Sequence, residues 1–242
     1  PIEKYFTYQP VDIACKYFYA NGKVVRAFTD QQLFATELQE QLSEDPKSLP
    51  AYLSRAEKVY EHIGSIFLNH SLHKRKTWLN KRVSKALAVV KSSDLFGTLH
   101  KHNHKNFSSP EAVQLFNRFA TYNGSSPYKA PGMMSLIPHL ELNQGTFYPH
   151  GGMISITNAL YNLALAKGVK FQFDAPVQRI IQHEGKVRGV VVNNKNEEAD
   201  IVVTNGDVYF TYSHLLRNQP KAEKLLRQER SSSAVIFYWG IK

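Results

Sequence analysis

The chain has 242 residues, 43% apolar and 21% charged, with 30 Lys/Arg against 20 Asp/Glu. That length buries a core without metal or disulfide staples, and a single cysteine, Cys15, excludes an intrachain disulfide and any Cys-rich zinc module. No apolar run approaches the ~18 residues of a membrane span and no N-terminal h-region reads as a secretory signal, which predicts a soluble cytoplasmic protein.

Residues 14–19 and 24–29 are aromatic and β-branched runs around Ala20-Asn21-Gly22-Lys23. Asn-Gly there predicts a hairpin turn with both central residues at positive φ. Asp30 predicts an N-cap for a helix over 31–42 that buries Leu33, Phe34, Leu38 and Leu42. Pro46 and Pro50 lead into a longer helix over 50–70, with a stripe of Leu53, Ala56, Val59, Tyr60, Ile63 and Phe67. Residues 71–106 then hold nine Lys/Arg against Asp94 alone, an asymmetry that points to an anionic partner surface. Within this stretch Leu79, Val83, Ala86, Leu87 and Val90 predict a helix over 77–91, with Lys81, Arg82 and Lys85 outside its apolar stripe. Such a helix suits docking on an anionic lipid surface; it equally suits a core-facing helix with a basic outer side. Nucleic acid is not expected, because Trp78 and Phe96 are too sparse to stack bases. His100, His102 and His104 raise a metal site. No carboxylate or cysteine lies close by, and Lys101 and Lys105 would repel a cation, so a solvated basic loop without metal is expected.

Ser109-Pro110 predicts a capped helix over 110–120 bearing Val113, Phe116 and Phe119. Residues 122–153 are rich in Gly, Pro and Ser yet dense in Tyr, Met, Leu and Phe, which predicts a segment folded back over a cavity or a core. A helix over 153–167 follows, with Ile156, Leu160, Leu163 and Ala164 inward and Gly168 as C-cap. Strands are expected over 169–173, 177–183 and 187–193, the last two joined at Glu184-Gly185-Lys186. A fourth apolar run, 201–204, precedes Asn205-Gly206-Asp207. The closing run 234–242 reads as a buried strand, and together with an opening on Pro1 it predicts a piece of a longer protein. Sheet-forming segments at both ends and a helical middle predict a mixed α+β fold, in two lobes.

The stretch Tyr122-Asn123-Gly124-Ser125-Ser126-Pro127-Tyr128-Lys129-Ala130-Pro131, followed by Tyr148-Pro149-His150-Gly151-Gly152-Met153, resembles the bacterial-type carotenoid desaturases of the phytoene dehydrogenase family. Ala175-Pro176-Val177-Gln178-Arg179-Ile180, Val190-Val191-Val192 and residues 200–205 continue the resemblance. It runs over the whole chain and is most specific from 118 to 216. It implies an FAD enzyme of the amine oxidase fold that removes hydrogen from long apolar polyenes. In that fold a substrate domain is inserted between pieces of a discontinuous FAD-binding domain. By this resemblance residues 1–150 are the first part of a substrate-binding, membrane-facing domain. Residues 151–210 are the middle segment of the FAD domain, and 211–242 return to the substrate domain.

Residue by residue, the resemblance implies Val177 near the adenine and the Gly151-Gly152 pair opening a helix beside the cofactor. Asn205 and Asp207 mark where a strand leaves the flavin domain, with Gly206 where the family often has alanine. The sequence contains neither a strand–GxGxxG–helix unit nor the C-terminal flavin motif, so these 242 residues alone are expected to bind no flavin and to be inactive. Tyr122, Tyr128, Met133, Met134, Leu136 and Tyr148 are read as the lining of an apolar tunnel, or else as ordinary core. No side chain is assigned a catalytic role, since the cofactor carries the chemistry. The expected partners are an apolar carotenoid, the membrane surface through 77–91 and the remaining FAD-domain segments. Another amine oxidase-type flavoprotein and a non-catalytic basic module binding lipid or nucleic acid are the alternatives.

Overall fold

The computed structural model describes residues 4–64, 66, 70–71, 74–79, 83, 97–216, 222–228, 230 and 235–240. The architecture is mixed α+β and divides into two units, residues 1–161 with 231–242 and residues 162–230. Among the described residues no helix is long and apolar enough to cross a membrane.

The first unit opens with β1 (Tyr8–Pro10), β2 (Ile13–Phe18) and β3 (Val24–Phe28). β2 and β3 form the expected antiparallel hairpin, closing at Phe18 opposite Val24. The turn differs from the expected one. Gly22 takes φ +81 but Asn21 is not at positive φ, and the Gly22 N–H donates to the Tyr19 carbonyl at 3.0 Å. A type I turn closed by a left-handed glycine fits this slightly longer loop.

Asp30 caps α1 (Gln31–Leu42) by accepting from the N–H groups of Gln32 and Leu33, as expected. Phe34, Leu38 and Leu42 are buried, but Leu33 is 56% exposed and Glu37 lies on the buried face instead. Arg26 makes that burial tolerable. Its Nε donates to Glu37 Oε1 at 3.1 Å, its Nη2 to Oε2 at 2.8 Å and its backbone N–H to Oε1 at 2.9 Å. This two-pronged pairing ties β3 to α1.

α2 (Ser48–Val59) buries Leu49, Tyr52, Leu53, Ala56 and Val59, then passes into one π-helical turn at Tyr60–Gly64; of the helix expected over 50–70, residues 65 and 67–69 lie outside the described residues. Most of the helix expected over 77–91, with Lys81, Arg82 and Lys85, lies outside the described residues. Within it Leu79 is exposed, and Val83 packs with Val59, Ile66 and Met133.

The three histidines sit on a helix rather than in a loop. α3 (Leu99–Asn106) starts at Thr98, whose hydroxyl accepts from the Lys101 N–H, and it buries His102 and Asn103. α4 (Pro110–Asn117) begins as expected, with Ser109 Oγ accepting from the Ala112 N–H. The buried Glu44 carboxylate accepts from the backbone N–H groups of Ser108 and Ser109, placing negative charge where the helix dipole favours it. Phe116 of α4 is the hub of the core, stacked on Phe107 at 4.2 Å between ring centres and 4.9 Å from Tyr52. Val25, Phe34, Leu38, Leu53, Val113 and Phe119 close around it.

β4 (Phe147–Pro149) pairs antiparallel with β1, Gln9 opposite Tyr148. α5 (Ile154–Ala166) follows, but the inward face expected of it is only partly formed: Ala159 is buried, whereas Leu160 is exposed. Its C-terminus is as expected. Gly168 at φ +83 donates to the Leu165 carbonyl and Val169 to that of Ala164, the two bonds of a Schellman cap.

The second unit carries a meander of β5 (Val177–His183), β6 (Lys186–Val192) and β7 (Lys195–Glu198). Both turns place two residues at positive φ, Glu184-Gly185 and Asn193-Asn194. β7 was not expected, since Lys195-Asn196-Glu197-Glu198 reads as solvated chain; Asn193-Asn194 was its signal. The runs 169–173 and 201–204, and 235–240 at the end, join no sheet among the described residues, and Val203 and Tyr238 are 88% and 92% exposed. The strands expected there are corrected accordingly. An apolar β-branched run becomes a strand only where another backbone meets its N–H and C=O groups, and a local pattern carries no information about that.

Gly189, at φ +147 in the middle of β6, has no room for a side chain: a Cβ would run into the backbone of Glu197 and Glu198 on β7. Gly189→Ala should therefore cost more than ~2 kcal/mol in urea denaturation, against about 1 kcal/mol for Gly185→Ala in its open turn. Equal losses would refute the close approach.

Stability should also fall at both ends of the pH scale. The hydrogen bond from Arg26 holds the Glu37 carboxyl below its ordinary range. The unfolded chain takes up that proton first, so this contribution is full above the ordinary glutamate range and is lost as pH falls through the depressed folded value. Burial pushes Tyr19 up to about 12 and raises Tyr17 and Tyr52 as well. Their contribution is full below about pH 10, where unfolded tyrosines begin to ionise, and declines as pH rises. Denaturation midpoints measured across pH should show both arms, and Glu37→Gln should flatten only the acid one.

Candidate functional site

The β1–β4 ribbon extends beyond its named strands, with His150 donating to the Thr7 carbonyl and Val11 to that of Thr146, both at 2.9 Å. Strand alternation sends Phe6, Tyr8 and Phe147 to one face. The Tyr8 and Phe147 rings meet edge to face at 5.4 Å, and Phe6 lies 6.1 Å from Tyr8. Tyr8 and Phe147 each remain about half exposed, so the ribbon presents an aromatic surface. Tyr148 alternates to the opposite face.

The chain leaves this ribbon through Gly151 and Gly152, both at φ +83, and Ser155 Oγ donates to the Gly152 carbonyl at 2.8 Å as α5 begins. A Cβ on Gly151 would meet only Ser155 Cβ at 3.9 Å, and one on Gly152 the Tyr148 hydroxyl at 3.5 Å. Glycine is required here by backbone angle, not by crowding, and the turn offers bare backbone on its outer side. That fits the close backbone approach to a flat cofactor which the resemblance implies.

Tyr122 belongs to a second cluster. Its hydroxyl donates to Glu141 Oε2 at 2.7 Å, and Arg118 Nη2 donates to Glu141 Oε1 at 3.1 Å. The guanidinium lies over Tyr17, Phe119 and Tyr122, 4.6 Å from the Phe119 ring centre. Burial works against its charge, but the Tyr122 hydrogen bond, the Tyr17 phenol and the Glu141 carboxylate hold Arg118 above the ordinary arginine range. Tyr17 Oη and Arg118 Nε are buried without a hydrogen-bond partner. This constellation was not anticipated, because Tyr17, Arg118 and Glu141 are far apart in sequence and none sits in a motif.

The remaining expected lining residues are dispersed. Met133 is buried with Val59, Ile66 and Val83, and Met134 packs against the same group; Leu136 is half-buried. Tyr128 stands 4.6 Å from the His100 ring. Of the six, Met133 and Met134 are brought together, while a cavity of about 350 Å3 beside α3 and α4 touches Tyr128 alone. An open hollow of about 1090 Å3 along β6, with Lys186, Arg188 and Asp200, touches none of them.

In the second unit Val177 opens β5 opposite Val192 and is partly exposed. Asn205 is exposed. Asp207 caps the turn Val208–Phe210, accepting from the Tyr209 N–H at 2.7 Å, and lies 3.8 Å from Arg230. Among the described residues no group of three His, Cys, Asp or Glu could hold a metal ion. Among the described residues there is no glycine loop of GxGxxG spacing, the usual cradle of a dinucleotide pyrophosphate.

Comparison with known proteins places these features. The family model described as flavin containing amine oxidoreductase matches residues 2–238. A 1-hydroxycarotenoid 3,4-desaturase of Flavobacterium sp. (strain P99-3) is 45% identical over 241 residues, covering all of this chain and 49% of the relative. A 4,4'-diapolycopene oxygenase of Methylomonas sp is 35% identical over 64% of this chain and 32% of its own length. A zeta-carotene-forming phytoene desaturase of Myxococcus xanthus is 39% identical over 56% of this chain and 27% of its own length. The chain thus spans about half or less of the length of these relatives. Its match from residue 2 to residue 238 makes it a member of the flavin containing amine oxidoreductase family.

Proposed function

We propose that this chain is part of an FAD-dependent carotenoid desaturase, which dehydrogenates a long apolar polyene such as phytoene or a related carotenoid. The observation that supports it is 45% identity across the whole chain to a relative named for carotenoid desaturation. FAD, which the family implies, would supply the hydride acceptor when bound.

The chain's own residues would then position and exclude. Gly151 and Gly152 let backbone come close to the cofactor, with Val177, Asn205 and Asp207 contributing from the middle segment of the flavin domain, taken as 151–210. A polyene offers no polar handle, so its recognition falls to shape and apolar contact. Tyr122, Tyr128, Met133, Met134 and Tyr148 are the proposed contacts, and the exposed Phe147 and Tyr8 rings of the ribbon join them. Residues 1–150 and 211–242 are assigned to substrate binding. Docking on the cytoplasmic face of a membrane through the basic segment 77–91 suits a substrate dissolved in lipid. Nucleic acid has no part in this reading.

Expression of the full-length protein in cells that accumulate phytoene or 1-hydroxylated carotenoids should shift pigment absorbance to longer wavelength. Unchanged pigments in both hosts, with folded flavin-loaded protein present, would refute the assignment. Gly151→Val should lower conversion at least tenfold, since a β-branched side chain cannot hold φ +83. The 242 residues expressed alone should purify colourless and inactive; a yellow sample with flavin absorbance would contradict the proposal that the pyrophosphate site lies elsewhere.

A further inference from the structure

Tyr52 is wholly buried on α2, so its hydroxyl must find an acceptor inside the protein. It donates to Asn103 Oδ1 at 2.9 Å. Asn103 Nδ2 donates to Asn117 Oδ1 at 3.0 Å, and Asn117 Nδ2 stands 3.0 Å from His100 Nδ1. The direction of this relay is fixed at its buried end. Each amide oxygen is committed to the donor behind it, so each amide nitrogen donates forward. An amide N–H cannot accept, which makes His100 Nδ1 the acceptor and puts the ring proton on Nε2.

His100 lines the cavity of about 350 Å3 between α3 and α4. Phe107 and Val113, both buried, supply apolar surface, and Tyr128, Gln114 and His104 complete most of the wall. Among the described residues no carboxylate, lysine or arginine lines it, so they offer no counter-charge to a cation and none beyond imidazole to an anion. Its volume falls within the roughly 300–1,000 Å3 of small-molecule sites. With Nδ1 engaged by Asn117, the donor that the His100 ring retains is Nε2–H.

We infer that this cavity binds a small neutral molecule with an apolar skeleton and one hydroxyl or carbonyl oxygen. The oxygen accepts from His100 Nε2–H, and the skeleton lies against Phe107 and Val113. The inference does not rest on the desaturase reading, because the relay and the cavity exist whatever the protein oxidises.

The test uses the full-length protein with 15N-labelled histidine. Long-range proton–nitrogen spectra should show His100 as the Nε2–H tautomer, and Tyr52→Phe, which frees the Asn103 amide to turn over, should weaken that bias. Titration with linalool, a ten-carbon tertiary alcohol, should shift the His100 signals saturably, and the hydrocarbon ocimene should bind at least tenfold more weakly. His100→Phe should abolish the preference for the alcohol. An Nδ1–H tautomer in the unaltered protein, no response to linalool, or equal affinity for alcohol and hydrocarbon would each overturn the inference.

Discussion

The packing of Tyr52 against the stacked pair Phe107 and Phe116, with ring centres at 5.1 and 4.9 Å, is the contact on which the first unit depends. An aromatic ring brings much apolar area into a core, but a phenol also brings a hydroxyl that cannot be left dry and unbonded. The chain meets both demands at once. α2 supplies the ring, α4 supplies Phe116, and α3 supplies the acceptor, Asn103. Replacing Asn103 by an apolar residue would strand the hydroxyl, and replacing Phe116 would remove the surface that makes burial favourable. Three helices are held in register by a side chain with two natures.

Charge is buried in the same economical way. Glu37 is on the core side of α1 because Arg26 satisfies both its oxygens, and Glu44 is buried because two backbone N–H groups ahead of α4 need acceptors. Arg118, stacked among three rings, faces Glu141. Each buried charge joins two different segments, and removing the groups that satisfy it would leave it stranded at high cost. These are constraints on pairing more than sources of net stability.

What could be read from the sequence was whatever is decided locally. Asp30 and Ser109 cap helices because a short polar side chain reaches its own backbone. Gly168 ends α5, and Glu184-Gly185 turns the β5–β6 hairpin, since neither asks for anything beyond a few residues. Burial was harder. Leu33 was expected inward, yet it is exposed and Glu37, paired with Arg26 of the neighbouring strand, takes a buried place. The runs 169–173 and 201–204 have strand composition, yet whether they pair is settled by backbone elsewhere. For the site, the Gly151-Gly152 pair was singled out through the family resemblance, and the positive φ at both positions is the physical reason glycine stands there. The rings that flank it were not. Phe6, Tyr8 and Phe147 acquire meaning only once β1 and β4 lie side by side, and the Tyr17–Arg118–Glu141 group only once the hairpin meets the segment after α4.

That ribbon has a further consequence. Its two strands stand about 140 residues apart along the chain, so closing it carries the entropy of a very long loop. Such a pairing belongs late in folding, after the local helices have condensed. During synthesis β1 leaves the ribosome long before β4 exists, and its Tyr8 waits exposed until the partner arrives. The glycine turn hangs from the last-formed strand, so the most delicate backbone geometry of the unit is acquired only when nearly everything around it is already in place.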